Sequence, residues 1–181
     1  MTYECIMAGF GGQGLLFSGK VLAHAALIEG KELSWLPSYG PEMRGGTCNC
    51  SVIVSDEPVG SPIIAHPNIL MAMNEPSLDK FEAAAAAGAE VFVDSSLIAR
   101  KVRRDDVCAT YVPATEMAKE MEATSLANMI LLGAIVKKTG CVKCETVAEA
   151  LKQTISARKA GLLELNLKAV GRGFDFMNQD K

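Results

Sequence analysis

Gly9, Gly11 and Gly14 in the run GFGGQG at residues 9–14 satisfy the spacing GxGxxG, and Gly12 adds a further residue without a β-carbon. The chemistry of such a turn is anion binding: with few side chains in the way, backbone N–H groups converge at the positive end of the following helix and stabilise a phosphate or another anion. In this pattern the first glycine permits a tight turn, the second lets backbone approach a ligand, and the third lets the helix pack on the sheet. The plainer alternative is a glycine turn that only lets a helix pack. Gln13 stands inside the turn. A second reactive stretch is SYGPEMRGGT at residues 38–47, where Arg44 can fork onto a carboxylate or phosphate and Glu42 can hold that arginine or take part in a subunit contact. Ser38 and Tyr39 open this stretch, and Pro41, Met43, Gly45 and Gly46 surround the charged pair. An ordinary surface loop with an internal ion pair competes with that reading.

Several chemistries are disfavoured. A dinucleotide fold needs an acidic residue about 20 residues beyond the glycines to hold the ribose. Here the second strand runs through residues 32–36 into Pro37-Ser38-Tyr39-Gly40 without one, and Glu29 and Glu32 come too early. Cys141 and Cys144 form a single CxxC with no second pair to complete a four-thiolate site, which favours two small residues in a helix–helix connection over metal or redox chemistry. The other cysteines fall mostly in strand-like runs and read as reduced thiols. His24 and His66 have no neighbouring Cys, Asp or Ser partner, so no catalytic triad is built on them. A net charge of −3 without a basic block argues against nucleic acid. The run Arg100-Lys101-Val102-Arg103-Arg104 is followed at once by Asp105-Asp106 and reads as a solvated surface turn.

The elements that must position the two stretches follow from periodicity. An apolar strand at residues 3–8 precedes the glycines and a helix at 15–29 follows them. Residues 47–55 alternate as a third strand, 69–74 form an uninterrupted buried strand, and Ser77 caps a helix that runs to residue 87. Residues 59–64 form a loop or short edge strand, 90–96 a strand ending in the polar cluster Asp94-Ser95-Ser96, and 107–112 a last strand. Helices are expected at 113–122, at the apolar run 125–138, at 145–156 and at 161–177, with Gly171 and Gly173 marking the last end. With 181 residues and 49% hydrophobic content the chain is one domain, residues 1–181: an α/β, Rossmann-like three-layer fold with a mainly parallel sheet and a C-terminal helical segment. In an open parallel sheet the loops after the first and second strands share the edge where ligands bind. No signal peptide or membrane span is read, which places the chain in the cytoplasm.

These motifs, with the segment NCSVIVSD at 49–56, Ala127-Asn128-Met129 followed by Leu132-Gly133-Ala134, and Leu163-Glu164-Leu165-Asn166, resemble the gamma subunit of 2-oxoacid:ferredoxin oxidoreductases nearly end to end. The resemblance implies a non-catalytic, Rossmann-like subunit of a larger complex that oxidatively decarboxylates a 2-oxoacid to its acyl-coenzyme A. It implies alpha and beta partner subunits, with a ferredoxin-like delta subunit in some assemblies, that carry thiamine diphosphate, Mg2+ and iron–sulfur clusters and pass electrons to ferredoxin. On this resemblance the chain holds no cofactor or metal alone and supplies no catalytic residue. It covers the active site and shares in accommodating coenzyme A through Gly9, Gly11, Gly12, Gln13, Gly14, Ser38, Tyr39 and Arg44. Pro41, Glu42, Met43, Gly45 and Gly46 are then partner or lid contacts. The version Glu42-Met43-Arg44-Gly45-Gly46-Thr47 resembles 2-oxoglutarate enzymes; pyruvate, branched-chain 2-oxoacid and indolepyruvate enzymes share the fold. A stand-alone nucleotide or coenzyme binding module, or a homodimer of the isolated chain, stays open.

Overall fold

A computed structural model describes residues 1–39, 47–155 and 160–179. The apolar run after the first residue forms β1 (Thr2–Phe10), and the glycine turn leads into α1 (Leu15–Ile28). Then come β2 (Glu32–Tyr39), β3 (Thr47–Ser55), β4 (Ile69–Ala72), α2 (Glu75–Glu82), β5 (Glu90–Asp94), β6 (Cys108–Val112) and α3 (Ala114–Glu120). A 3-10 turn at Thr124–Leu126 leads into α4 (Ala127–Thr139), followed by α5 (Cys144–Thr154) and α6 (Ala160–Gln179). Among the described residues no helix is long and apolar enough to cross a membrane.

The six strands lie in the order β2-β3-β1-β4-β5-β6. β1, β4, β5 and β6 pair in parallel, whereas β3 is antiparallel to both β1 and β2. Five strands therefore run one way and β3 alone runs against them. The expected α/β fold is present, but β2 and β3 are a hairpin inserted beside β1, not two members of a parallel series. The reason is chain length: only residues 40–46 separate Tyr39 from Thr47, and a parallel crossover needs a dozen or more. β2 is also longer than its apolar pattern indicated, because as the outermost strand it accommodates Pro37, whose missing N–H would break an inner ladder.

Alternation along the strands splits the core in two. Cys5 and Met7 of β1 join Cys50, Val52 and Val54 of β3, Met71 of β4 and Phe92 of β5 on the face covered by α1 and α4. Ile6 and Ala8 join Leu70, Ala72, Val91 and Val93 on the other face, which receives Leu78 of α2 and Ile98. α4 is buried from Ala127 to Val136, so its apolar sequence is explained by core packing within this chain. α6 crosses it so closely that a β-carbon at Gly173 would stand 2.0 Å from the Ile130 carbonyl oxygen, and one at Gly133 would stand 2.3 Å from that of Val170. Gly171 and Gly173 thus lie inside α6 rather than marking its end. They escape the usual helix-breaking reading because the crossing demands a missing side chain at one of them.

Two further expectations are corrected and one alternative is resolved. α2 is capped by Asn74, whose Oδ1 accepts from the Ser77 N–H at 2.8 Å, and it ends at Glu82 rather than at residue 87. Of the loop or short edge strand expected at residues 59–64, the structure has the loop. The Arg100 run is more than a solvated turn: Arg100, with 15% side-chain exposure, bonds Glu82 at 2.8 Å and Asp79 at 2.6 Å, and Glu82 also accepts from the Arg103 and Arg104 N–H groups. This network straps the segment after β5 onto α2.

Candidate functional site

The carboxyl ends of β1, β2, β4, β5 and β6 fall at one edge of the sheet, together with the start of β3. Register fixes the neighbours there: Phe10 lies opposite Thr47, and Tyr39 opposite Cys48. The glycine turn and both ends of the 38–47 segment therefore meet at one rim, as expected, although a hairpin rather than a crossover brings them there. Ser38 is exposed and pairs with Asn49 on the sheet face turned away from α1; Tyr39 is the last residue of β2. Pro41, Glu42, Met43, Arg44, Gly45 and Gly46 lie outside the described residues.

In the glycine turn each residue has a definite task. Gly12 (φ 97°) and Gly14 (φ 76°) adopt the left-handed region that favours glycine. Nothing stands within 4 Å of where a β-carbon of Gly12 would be, so that stretch of backbone is open to a ligand. Gly11 lies in the turn beside it, half-buried. Gly14 caps α1 without a side-chain bond, and the first turn of α1 carries no acidic residue. The Leu15 and Leu16 N–H groups thus have neither an intrahelical acceptor nor a competing carboxylate, whereas those of Phe17 and Ser18 donate to the Gly14 carbonyl.

Gln13, expected as a ligand contact and part of the cleft lining described below, has a structural task in the turn. Its Oε1 accepts from the Phe10 N–H at 2.6 Å and its Nε2 donates to the Met73 carbonyl at 3.1 Å, which staples the end of β1 to the end of β4. Gly9 makes this possible, since a β-carbon there would stand 2.4 Å from Gln13 Oε1. Gly14 leaves room for Asn128 at the start of α4, whose Nδ2 would lie 2.6 Å from a β-carbon and donates to the Gly14 carbonyl at 2.9 Å. The close packing of helix on sheet expected of the third glycine belongs instead to Gly19, where a β-carbon would stand 2.5 Å from Cys50 Sγ.

Beside the turn lies a cleft of about 210 Å3, lined by Gly12, Gln13, Met73, Leu97, Thr115 and Ser125 among others, none of its lining side chains charged. Thr115 in its lining is held by Asp94, wholly buried at the end of β5. Asp94 Oδ1 accepts from the N–H groups of Ser96 at 3.1 Å and Thr115 at 3.3 Å, and Oδ2 accepts from Thr115 Oγ1 at 2.6 Å. The sequence marked Asp94-Ser95-Ser96 as a polar cluster but gave no partner for it. Thr115 escaped notice, Asn128 was marked only through the family resemblance, and Asn74 only as the end of a strand. An asparagine in the otherwise apolar run SLANMILLG was the one available signal, because a buried amide in such a helix must meet a specific partner.

Thiol chemistry is suppressed at this rim. Burial, reinforced by Cys48 and opposed by a Trp35 hydrogen bond, pushes Cys50 up to about 12, and burial also raises Cys48. Both stay protonated near neutral pH and lack the thiolate that a nucleophile needs. Among the described residues no group of three or more His, Cys, Asp or Glu is placed to hold a metal ion.

The family model described as pyruvate ferredoxin/flavodoxin oxidoreductase matches residues 4–176. The chain is 40% identical over 176 residues to the ketoisovalerate oxidoreductase subunit VorA of Methanothermobacter marburgensis, covering 96% of this chain but only 36% of that protein, so it spans about a third of that relative's length. It is 34% identical over 178 residues to the 2-oxoglutarate synthase subunit KorC of Methanocaldococcus jannaschii, covering 97% of this chain and 94% of the relative. A solved keto/oxoacid ferredoxin oxidoreductase gamma subunit from Geobacter sulfurreducens superposes with a TM-score of 0.85 at 34% identity, over 97% of this chain and 95% of that one.

Proposed function

The chain belongs to the pyruvate ferredoxin/flavodoxin oxidoreductase family, and on that premise we infer that it is the gamma-type subunit of a 2-oxoglutarate:ferredoxin oxidoreductase, covering the active site and holding part of coenzyme A. One observation carries the reading: the open glycine turn, the uncapped start of α1 and the ends of the β2–β3 hairpin lie at one sheet edge. That edge suits a phosphate-bearing coenzyme, because Gly12 leaves its backbone approachable and the first N–H groups of α1 await an acceptor. The cleft is smaller than the roughly 300–1,000 Å3 that encloses a whole ligand of this size. It therefore takes one end of the coenzyme and leaves the rest to the alpha and beta subunits. Coenzyme A would supply the thiol that accepts the acyl group, and the partners' thiamine diphosphate and iron–sulfur clusters would supply the decarboxylation and the path for the two electrons to ferredoxin.

On this reading Gly9 and Gln13 hold the turn in shape, Gly11, Gly12 and Gly14 present backbone, and Ser38, Tyr39 and Arg44 contact the coenzyme from the hairpin side. Pro41, Glu42, Met43, Gly45 and Gly46 serve as lid or partner contacts, and the complex works in the cytoplasm. The choice of 2-oxoglutarate is supported by the match to KorC along nearly the whole of both chains. A second reading, a branched-chain 2-oxoacid, is favoured by the higher identity to VorA. The test is reconstitution with alpha and beta partners and a panel of 2-oxoglutarate, pyruvate, 3-methyl-2-oxobutanoate and indolepyruvate. Viologen reduction that needs both coenzyme A and this chain, fastest with 2-oxoglutarate, is expected. Preference for 3-methyl-2-oxobutanoate selects the second reading, and full activity without the chain rejects both.

A further inference from the structure

A carboxylate buried as completely as Asp94 is costly unless donors surround it, and here all the donors come from the wall of the cleft or its root: the Ser96 N–H, the Thr115 N–H and the Thr115 hydroxyl. No cation pairs with it among the described residues. A threonine hydroxyl has one proton, and that of Thr115 is given to Asp94 Oδ2 at 2.6 Å. Whatever Oγ1 offers to a ligand is then a lone pair. The lining thus combines two unlike elements: approachable backbone at Gly12 of the glycine turn, and a Thr115 hydroxyl whose proton is already engaged.

Resting on the coenzyme reading above, we propose that Thr115, oriented by Asp94, accepts a hydrogen bond from an N–H or O–H group of the coenzyme whose anionic end lies at the start of α1. Thr115 is the contact and Asp94 the positioning residue. The cleft is therefore selective for a ligand that joins an anionic group to a hydrogen-bond donor, which coenzyme A does through its amides, hydroxyl and adenine amine.

The test uses the complex assembled with alpha and beta subunits and follows coenzyme A-dependent viologen reduction. Thr115→Val keeps the side-chain shape and removes the acceptor, and is expected to raise the KM for coenzyme A about five- to tenfold, the weight of one hydrogen bond, with kcat and the 2-oxoacid KM within about twofold. Thr115→Ser keeps the hydroxyl and is expected to match wild type. Asp94→Asn keeps Oδ1 for the two backbone N–H groups but turns a donor toward Thr115 Oγ1. The threonine proton is thereby freed toward the cleft, and the same rise in KM is expected although Thr115 is intact. A serine variant as impaired as the valine variant overturns the proposal, as does a valine variant without effect in a complex whose coenzyme A KM depends on this chain. A wild-type coenzyme A KM that is the same with and without the chain overturns the coenzyme reading together with it.

Discussion

Replacing Gly14 by alanine tests the construction of the glycine turn directly. Two penalties follow from the structure. At φ 76° an L side chain is strained, at about 1–2 kcal/mol. The added β-carbon would also stand 2.6 Å from Asn128 Nδ2, which is anchored by its bond to the Gly14 carbonyl and buried to 2% exposure. Displacing that amide leaves a buried donor without its acceptor, at about 1–3 kcal/mol more. The total of about 2–5 kcal/mol is measurable by urea denaturation and within the roughly 5–15 kcal/mol that a domain commands. Asn128→Ala alone is cheaper, near 1 kcal/mol, because the Gly14 carbonyl still accepts from the Phe17 and Ser18 N–H groups. The double variant lacks the collision and keeps only the backbone strain and that small loss. It should therefore fall short of additivity by at least about 1 kcal/mol. Strict additivity, or a Gly14→Ala variant within about 0.5 kcal/mol of wild type, would refute the reasoning.

Other outcomes follow from the same geometry. Gly173→Ala forces a methyl group against the α4 backbone and should destabilise by about 3 kcal/mol or more, whereas Gly171→Ala enters open space and should gain about 0.5–1 kcal/mol from helix propensity; equal Tm values would contradict the close crossing. Glu82→Ala strands the half-sheltered Arg100 and should cost about 3 kcal/mol, the low end for a broken buried pair because Asp79 remains at 2.6 Å; an unchanged urea midpoint would show the strap to be dispensable. Iodoacetamide at pH 8 should label exposed Cys108 in the native chain and reach Cys5, Cys50 and Cys141 only after unfolding, since burial raises all three buried thiols; rapid native labelling of Cys50 would contradict its place beneath α1.

The sequence made the glycine turn legible because its function and its fold both need missing β-carbons, and the period-3.6 pattern of α1 follows it at once. Strand direction was hidden: TCNCSVIVS alternates equally well in either sense, so β3 revealed its existence and its faces but not that it runs against β1. Gly171 and Gly173 misled for a related reason, since a glycine that ends a helix and one that lets two helices touch look alike in one dimension. Gln13, Asn128 and Asp94 act through partners 60, 114 and 21 residues away, and no local rule connects such pairs. What remained readable was the rim itself, because β2 and β3 are too close in sequence to end anywhere else.

Pro37 gives the outermost strand a property that bears on self-association. A newly made chain carries β2 at the margin of its sheet, where an incoming strand from another molecule would extend the ladder. The pyrrolidine ring withholds one donor from that margin and sets its bulk in the way. β2 is thereby a poorer template for edge-to-edge pairing with a second copy of the chain.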